Sequence, residues 1–178
     1  IKREQWLAFA EECEKDGRNE GVGSLSTCGA MVAATVGQDV EEEDMKATWV
    51  ADAEDCASRG STHTARSIYA HALTVFPSKK GLWRRAAMLE KAAGKPKLLD
   101  KLLRRAVTYC PQSEMLWLMG AKEKWLSGDV DGARRVLQEA FAANPNSEQV
   151  VLAAFKLEFE NKEVERAKLL LRRAREAP

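Results

Sequence analysis

The sequence predicts an all-α fold, a right-handed superhelical solenoid of about five helix-turn-helix repeats. The first observation is that three tryptophans are evenly spaced, with a period of about 34 residues. The second is that alanines and prolines keep the same period in columns of their own. The third is the composition, which has only 11 glycines and five prolines in 178 residues and so suits helices. The repeat positions are Trp6, Trp49, Trp83, Trp117, Ala72, Ala106, Ala140, Ala174, Pro77, Pro111 and Pro145.

Each Trp marks the first helix of a repeat. Ala87 and Glu90 follow Trp83 by four and seven residues, which places all three on one helical face. We expect that face to pack inward. A Gly follows each Trp by 11 residues, where a left-handed residue is expected to end the helix. These glycines are Gly60, Gly94 and Gly128.

The second helix of a repeat carries an apolar stripe. In one repeat the stripe consists of Ala65, Ile68, Tyr69, Ala72 and Leu73, a spacing typical of an amphipathic helix. The recurrent Ala allows a neighbouring helix to approach closely. The proline that follows is expected to end the repeat, because a helix cannot continue through a residue without an N–H.

The repeats are predicted to form a single domain over 1–178. Their expected bounds are about 1–42, 43–77, 78–111, 112–145 and 146–178. The first repeat is irregular, because Trp6 lies 43 residues before Trp49. We place the extra residues in two loops, Gly17 to Ser24 and Gly37 to Glu43, since loops tolerate insertions. The chain begins with Ile1 rather than Met, so we expect a fragment of a longer protein.

Charge is distributed unevenly along the chain. Residues 1–78 hold 7 Lys/Arg against 14 Asp/Glu, whereas residues 79–105 hold 10 against 2. A basic segment can bind an acidic protein surface or a phosphate backbone. The alternative is that these side chains are the solvated faces of two helices. The candidate partner-binding residues are Lys79, Lys80, Arg84, Arg85, Lys95, Lys97, Lys101, Arg104 and Arg105.

Enzyme, cofactor and membrane signatures are absent from the sequence. His63 and His71 are the only histidines, and the four cysteines form no C-x-x-C pair, so no metal site is predicted. No phosphate-binding loop or nucleophile motif occurs, so we expect no catalytic residues and no cofactor. No apolar run approaches the length that a membrane-spanning helix needs, which argues against a membrane span.

The repeat pattern resembles a known family. Trp49, Ala53, Ala65, Ala72 and Pro77 fit the tetratricopeptide repeat, and Glu90 with Glu158 leans toward its half-a-tetratricopeptide (HAT) variety. Longer segments are similar to the repeat region of the pre-mRNA-processing factor 6 family. These segments are VFPSKKGLW (75–83), LWLMGAKEKWLSGDV (116–130) and FAANPNSE (141–148).

This resemblance implies a nuclear protein-binding scaffold in pre-mRNA splicing that bridges components of the spliceosomal tri-snRNP. It implies other splicing proteins as partners, with direct RNA contact secondary, and it carries over no catalytic residue. A homodimer stays open, because a fragment of a repeat stack exposes apolar ends. The alternative function is a co-chaperone adaptor that binds peptide C-termini. That clamp needs Asn with Lys on the first helices, and none from Trp49 onward contains Asn.

Overall fold

The computed structural model describes residues 2–20, 24–38, 40–161 and 164–176. These residues form ten α-helices and no β-strand, and each predicted repeat contains two of the helices. The predicted all-α helical-repeat fold is therefore confirmed. The helices are α1 (Arg3–Glu20), α2 (Ser24–Thr35), α3 (Met45–Ser58), α4 (Thr62–Val75), α5 (Lys80–Ala92), α6 (Pro96–Tyr109), α7 (Glu114–Leu126), α8 (Val130–Ala143), α9 (Glu148–Glu160) and α10 (Val164–Glu176).

The chain divides into two compact units. Unit 1 is Ile1–Gly94 and contains α1 to α5, and unit 2 is Lys95–Pro178 and contains α6 to α10. The boundary lies inside the predicted 78–111 repeat, between its two helices. A single domain over 1–178 stays a prediction, and each unit is described by itself.

Three glycines end the first helices of their repeats in the left-handed conformation. Gly60, Gly94 and Gly128 have φ values of 82°, 65° and 84°. Each lies two residues after the last residue of α3, α5 or α7. Only Gly adopts this conformation without steric cost, so the Gly column of the sequence is explained by helix termination.

The helices that precede the prolines end one residue earlier than the missing N–H of proline alone requires. Helices α4, α6 and α8 each end two residues before their proline, at Val75, Tyr109 and Ala143. The residue between has left the helical region, with φ from −123° to −134°. A proline ring clashes with the backbone of the preceding residue and excludes it from the helix, which explains the earlier stop.

The Trp and Pro columns are joined by a hydrogen bond. Trp83 donates from Nε1 to the carbonyl oxygen of Pro77 at 2.7 Å, and Trp117 donates to that of Pro111 at 2.7 Å. Both indoles are buried, with 0 % and 7 % exposure. Burial of an indole needs such an acceptor for its N–H. The sequence showed only the common six-residue offset between the two columns, and this bond was not predicted.

The first repeat departs from the expected pattern. Trp6 is only half-buried, while its neighbours Leu7 and Ala10 are buried. Helix α1 continues through Gly17 to Glu20, so part of the predicted insertion lengthens a helix rather than a loop. The remainder, residues 21–23, lies outside the described residues, as does the final Pro178.

Glu14 caps the second helix of the next repeat from a distance in sequence. Its carboxylate accepts hydrogen bonds from the backbone N–H groups of His63 and Thr64, at 3.0 and 2.9 Å, and from Oγ1 of Thr64 at 2.8 Å. Those two N–H groups lie in the first turn of α4, where they lack intrahelical acceptors. A buried carboxylate also complements the positive end of the helix dipole.

An apolar cluster in the core of unit 2 is formed by residues of α7, α8 and α9. Small alanines in this cluster let the helices approach closely, while Trp117 supplies its largest side chain. Its buried members are Trp117, Ala121, Ala133, Leu137, Ala140, Val150 and Leu157.

Candidate protein-binding surfaces

The predicted basic residues around α5 lie on the surface of unit 1. Lys79, Lys80, Arg84 and Arg85 are all exposed. Arg85 donates from Nη1 to Oε1 of Glu54 on α3, but both side chains are about half exposed. Such a surface pair contributes about 1 kcal/mol or less. Within the described residues the other three cations form no ion pair, so their charge is open to a partner.

Helix α6 carries the remaining predicted cations on the surface of unit 2. All of them are exposed, and one pairs with Asp100 a turn earlier, at 3.2 Å. Because α5 and α6 belong to different units, each basic set is described with its own unit. The α6 set consists of Lys95, directly before α6, and of Lys97, Lys101, Arg104 and Arg105 on the helix.

Ion pairs recur where the second helix of one repeat meets the first helix of the next. In unit 1, Arg66 on α4 donates from Nε and Nη2 to both oxygens of Glu90 on α5, at 2.5 and 3.1 Å. In unit 2, Arg134 on α8 donates in the same way to Glu158 on α9, at 2.6 and 3.1 Å. Both glutamates are only 4 % exposed, so the guanidinium groups replace their lost hydration. These hydrogen bonds raise the pKa of Arg134.

The equivalent pair between α6 and α7 has the opposite polarity. Asp100 stands one repeat after Arg66, and Lys124 stands one repeat after Glu90. Nζ of Lys124 lies 3.1 Å from Oδ1 of Asp100. The order along the chain is therefore basic–acidic, acidic–basic, basic–acidic. When the charge changes sign at one of these two repeat positions, it also changes sign at the other. This correlated change is visible in the sequence and could have predicted the ion pairs, but the sequence analysis did not use it.

Unit 2 contains two grooves that are built in the same way. The first, here the α6–α8 groove, lies among α6, α7 and α8 and has a volume of about 430 Å³. The second, the α8–α10 groove, lies among α8, α9 and α10 and has a volume of about 600 Å³. Their linings are related by the repeat period, as Leu103 and Leu137 illustrate. Trp117 lines the first groove, whereas Val151 takes its place in the second.

The α8–α10 groove combines an apolar lining with basic side chains. Phe141 on α8 and Leu169 on α10 face it and are 39 % and 49 % exposed. Arg135, Arg166 and Arg173 also line it and are exposed. Among the described residues these three arginines have no carboxylate partner. Sequence reasoning did not single out this groove.

The thiols and carboxylates do not assemble into a chemical site in the described part of the chain. None of the four cysteines forms a disulfide bond, and burial raises the pKa of Cys56 to about 12 and also raises that of Cys28. A thiol held in its neutral form is a poor nucleophile and metal ligand. Across residues 2–20, 24–38, 40–161 and 164–176, no group of three or more His, Cys, Asp or Glu could hold a metal ion. Nor does any helix in those ranges have the length and apolar character to span a membrane.

A family model and two curated relatives match parts of the chain. Residues 124–178 match the tetratricopeptide repeat model. Human Pre-mRNA-processing factor 6 is 54 % identical over 87 residues, which make up 49 % of this chain and 9 % of that protein. About half of this chain is homologous to pre-mRNA-processing factor 6. The predicted resemblance is thus confirmed over that half.

The second relative extends the same finding to a fungus. Pre-mRNA-splicing factor prp1 of Schizosaccharomyces pombe is 41 % identical over 94 residues, which make up 53 % of this chain and 10 % of prp1. The chain therefore spans about a tenth of the length of prp1 and of pre-mRNA-processing factor 6.

A solved structure agrees on the fold. The Sgt2 TPR domain from Aspergillus fumigatus aligns with 71 % of this chain and 83 % of the domain, with a TM-score of 0.50 and 16 % identity. At that identity the likeness supports the helical-repeat fold and carries no functional conclusion.

Proposed function

We propose that this chain is a protein-binding scaffold in pre-mRNA splicing, which acts in the nucleus and bridges components of the tri-snRNP. The observation that carries the proposal is the 54 % identity to pre-mRNA-processing factor 6 over 87 residues. Because the match is 9 % of that relative, the chain supplies one binding segment of a larger scaffold. The proposed role is binding rather than catalysis.

The exposed cations of α5 and of α6 are the proposed contacts with acidic partner proteins. They lie on the surface of their units, and most have no carboxylate neighbour within the described residues. Complementary charge accelerates encounter and excludes partners of the wrong sign. RNA is the secondary ligand, since sequence-tolerant RNA binding relies on several aromatic rings among the cations. Trp83 is buried, and Tyr109 at 53 % exposure is the one exposed ring described on these two helices.

An affinity pull-down from nuclear extract tests this proposal. The bait is the whole chain, beside two variants that each change the charge by the same amount. One carries Lys80→Glu and Arg84→Glu on α5, and the other carries Lys97→Glu and Lys101→Glu on α6. The matched control carries Lys46→Glu and Lys122→Glu, which change exposed cations outside these two helices. Circular dichroism melts of all baits check that they stay folded.

Tri-snRNP proteins should copurify with the parent and the control, and their recovery should fall at least fivefold with the α5 or the α6 variant. Recovery of chaperones in place of splicing proteins would favour the co-chaperone alternative and overturn the scaffold. Loss of the splicing proteins after ribonuclease treatment would show that RNA, rather than protein, makes the contact.

A further inference from the structure

The two grooves of unit 2 differ in their largest side chain, at the position of the repeat Trp. In the α6–α8 groove, Trp117 is one of the lining residues and is 7 % exposed. In the α8–α10 groove, the equivalent position of the next repeat is Val151, which is half-buried. Phe141 does not compensate, because 39 % of it faces solvent. The groove without an indole at this position has the larger volume, about 600 against 430 Å³.

The walls of the α8–α10 groove are suited to a helix. On α8 the lining residues Arg134, Leu137, Gln138 and Phe141 follow the i, i+3, i+4, i+7 spacing of one helical face. Helix α10 repeats this spacing from Arg166 to Arg173. Two such ridged faces with an apolar floor between them accept the ridge of a third helix.

The charge around this groove selects an acidic occupant. Arg134 is already neutralised by Glu158, with Asp131 2.8 Å away on its other side. Arg135, Arg166 and Arg173 keep their charge unpaired among the described residues. In the α6–α8 groove, by contrast, Lys124 and Arg104 both pair with Asp100. Arg135 lines both grooves, but the α6–α8 groove has Gly132 and the acidic Glu139 at the positions of Arg166 and Arg173, so these two unpaired arginines line the larger groove alone.

We propose that the α8–α10 groove binds an acidic amphipathic helix of a partner protein. An aromatic side chain of that helix occupies the space beside Val151, and carboxylates on either side of it pair with Arg166 and Arg173. The inference names the partner chemistry for one surface of the proposed scaffold and rests on that function. An apolar floor without stacked aromatic rings favours a protein helix over a nucleic acid.

Fluorescence anisotropy with defined peptides tests the proposal on the whole chain. The probe is a fluorescein-labelled 20-residue helical peptide with one Trp in a Leu stripe and Glu on both flanks. Two matched peptides replace the Trp by Ala or every Glu by Lys. A labelled poly(U) strand of comparable length is tested in parallel. Sedimentation velocity reports the oligomeric state of the chain over the same concentrations.

Two sets of variants locate the binding. Val151→Trp installs the indole that the repeat carries at Trp83 and Trp117, so it fills the groove from inside. Arg166→Glu with Arg173→Glu reverses the charge at the groove. The control, Arg172→Glu with Arg175→Glu, makes the same charge change on the same helix at exposed positions that do not line the groove.

The acidic Trp peptide should bind the parent at least tenfold more tightly than either matched peptide. Val151→Trp, with an unchanged or higher Tm, and the Arg166/Arg173 variant should each weaken binding at least tenfold. The Lys peptide should then bind the Arg166/Arg173 variant better than it binds the parent. The Arg172/Arg175 control should bind the acidic peptide within twofold of the parent.

Equal binding of the acidic and Lys peptides, or binding that survives both groove variants, would overturn the proposal. So would tighter binding of poly(U), or a dimer that Val151→Trp disrupts. Capture of tri-snRNP proteins without peptide binding would remove the groove proposal and leave the scaffold. Peptide binding without capture of tri-snRNP proteins would leave the groove proposal and remove the scaffold.

Discussion

The α4/α5, α6/α7 and α8/α9 interfaces use the same repeat positions with different side chains. The first has Trp83 and the pair Arg66–Glu90, and the second has Trp117 and the reversed pair Asp100–Lys124. The third has Val151, with the first polarity restored in Arg134–Glu158. The period therefore fixes which positions meet, while the residues at those positions make each interface chemically distinct.

The alternating polarity of the ion pairs disfavours incorrect packing between helices of similar repeats. If α4 packed against α7, Arg66 would meet Lys124, and if α6 packed against α9, Asp100 would meet Glu158. Both mispairings would place like charges next to each other in a partly buried interface. Their repulsion would destabilise the mispaired packing, because little water is present to screen it. Polar pairs that specify register in this way are well attested in coiled coils.

The largest expected effect comes from the Trp position. Trp83→Ala and Trp117→Ala should each lower the free energy of unfolding by about 3 to 5 kcal/mol, because each leaves a cavity and removes the hydrogen bond from the indole N–H to a proline carbonyl. Val151→Ala, which removes two half-buried methyl groups, should cost about 1 kcal/mol. Urea denaturation followed by circular dichroism measures all three. A Val151→Ala cost equal to that of Trp117→Ala would contradict the difference between the interfaces.

The sequence predicted this Trp column well, and the reason is physical. A large buried side chain tolerates few replacements, and a close helix approach needs a small one, so Trp and Ala recur with the period. The Gly60, Gly94 and Gly128 helix ends were predictable for a different reason, because only Gly adopts their positive φ without steric cost. The prediction for Trp6 was less accurate, because Leu7, one residue later, is buried in the longer helix α1 while Trp6 is only half-buried. A one-residue shift of face is not visible without the packing partner.

Changes to the ion pairs should have an intermediate effect on the free energy of unfolding. The reversed pair Asp100–Lys124 suggests a second substitution that would restore the lost stability. Glu90→Lys places a second cation against Arg66 and should cost about 2 to 3 kcal/mol. The double variant Arg66→Asp with Glu90→Lys recreates the order of Asp100–Lys124 and should return to within about 1 kcal/mol of the parent. A double-mutant cycle by urea denaturation gives the coupling energy. Additive costs from the two changes would show that the pair does not set the interface.

The candidate sites were less predictable than the fold. The basic residues were visible as composition, but nothing in the sequence indicated that α5 and α6 fall into different units. The α8–α10 groove has Val151 at the position where earlier repeats have Trp, and it is lined by Arg166 and Arg173 of α10. Surface charge varies freely between repeats, so no period marks it. Sites formed by side chains from three helices need the packed structure.

The smallest expected effect concerns Asp52, which occupies the position of Ala86, Gly120 and Ala154 in later repeats. Its carboxylate lies 3.5 Å from Nε of Arg3, and neither atom has a hydrogen bond among the described groups. Burial raises the pKa of Asp52, and the charge of Arg3 opposes this rise. Since the pKa is higher in the folded chain, the folded state holds the proton more tightly than the unfolded state does. Asp52 therefore costs stability as the pH rises through its folded pKa.

Asp52→Ala should accordingly raise Tm more at pH 7 than at pH 3, by an amount corresponding to less than about 1 kcal/mol. Asp52→Asn keeps the shape and removes the charge, so it separates the titration from packing. Thermal melts at a series of pH values between 3 and 7 measure both variants. If the gain in Tm is the same at every pH, the carboxylate charge is not its source. A gain that grows with pH in both variants would show that this repeat is destabilised by a half-buried carboxylate at a position where the later repeats have Ala or Gly.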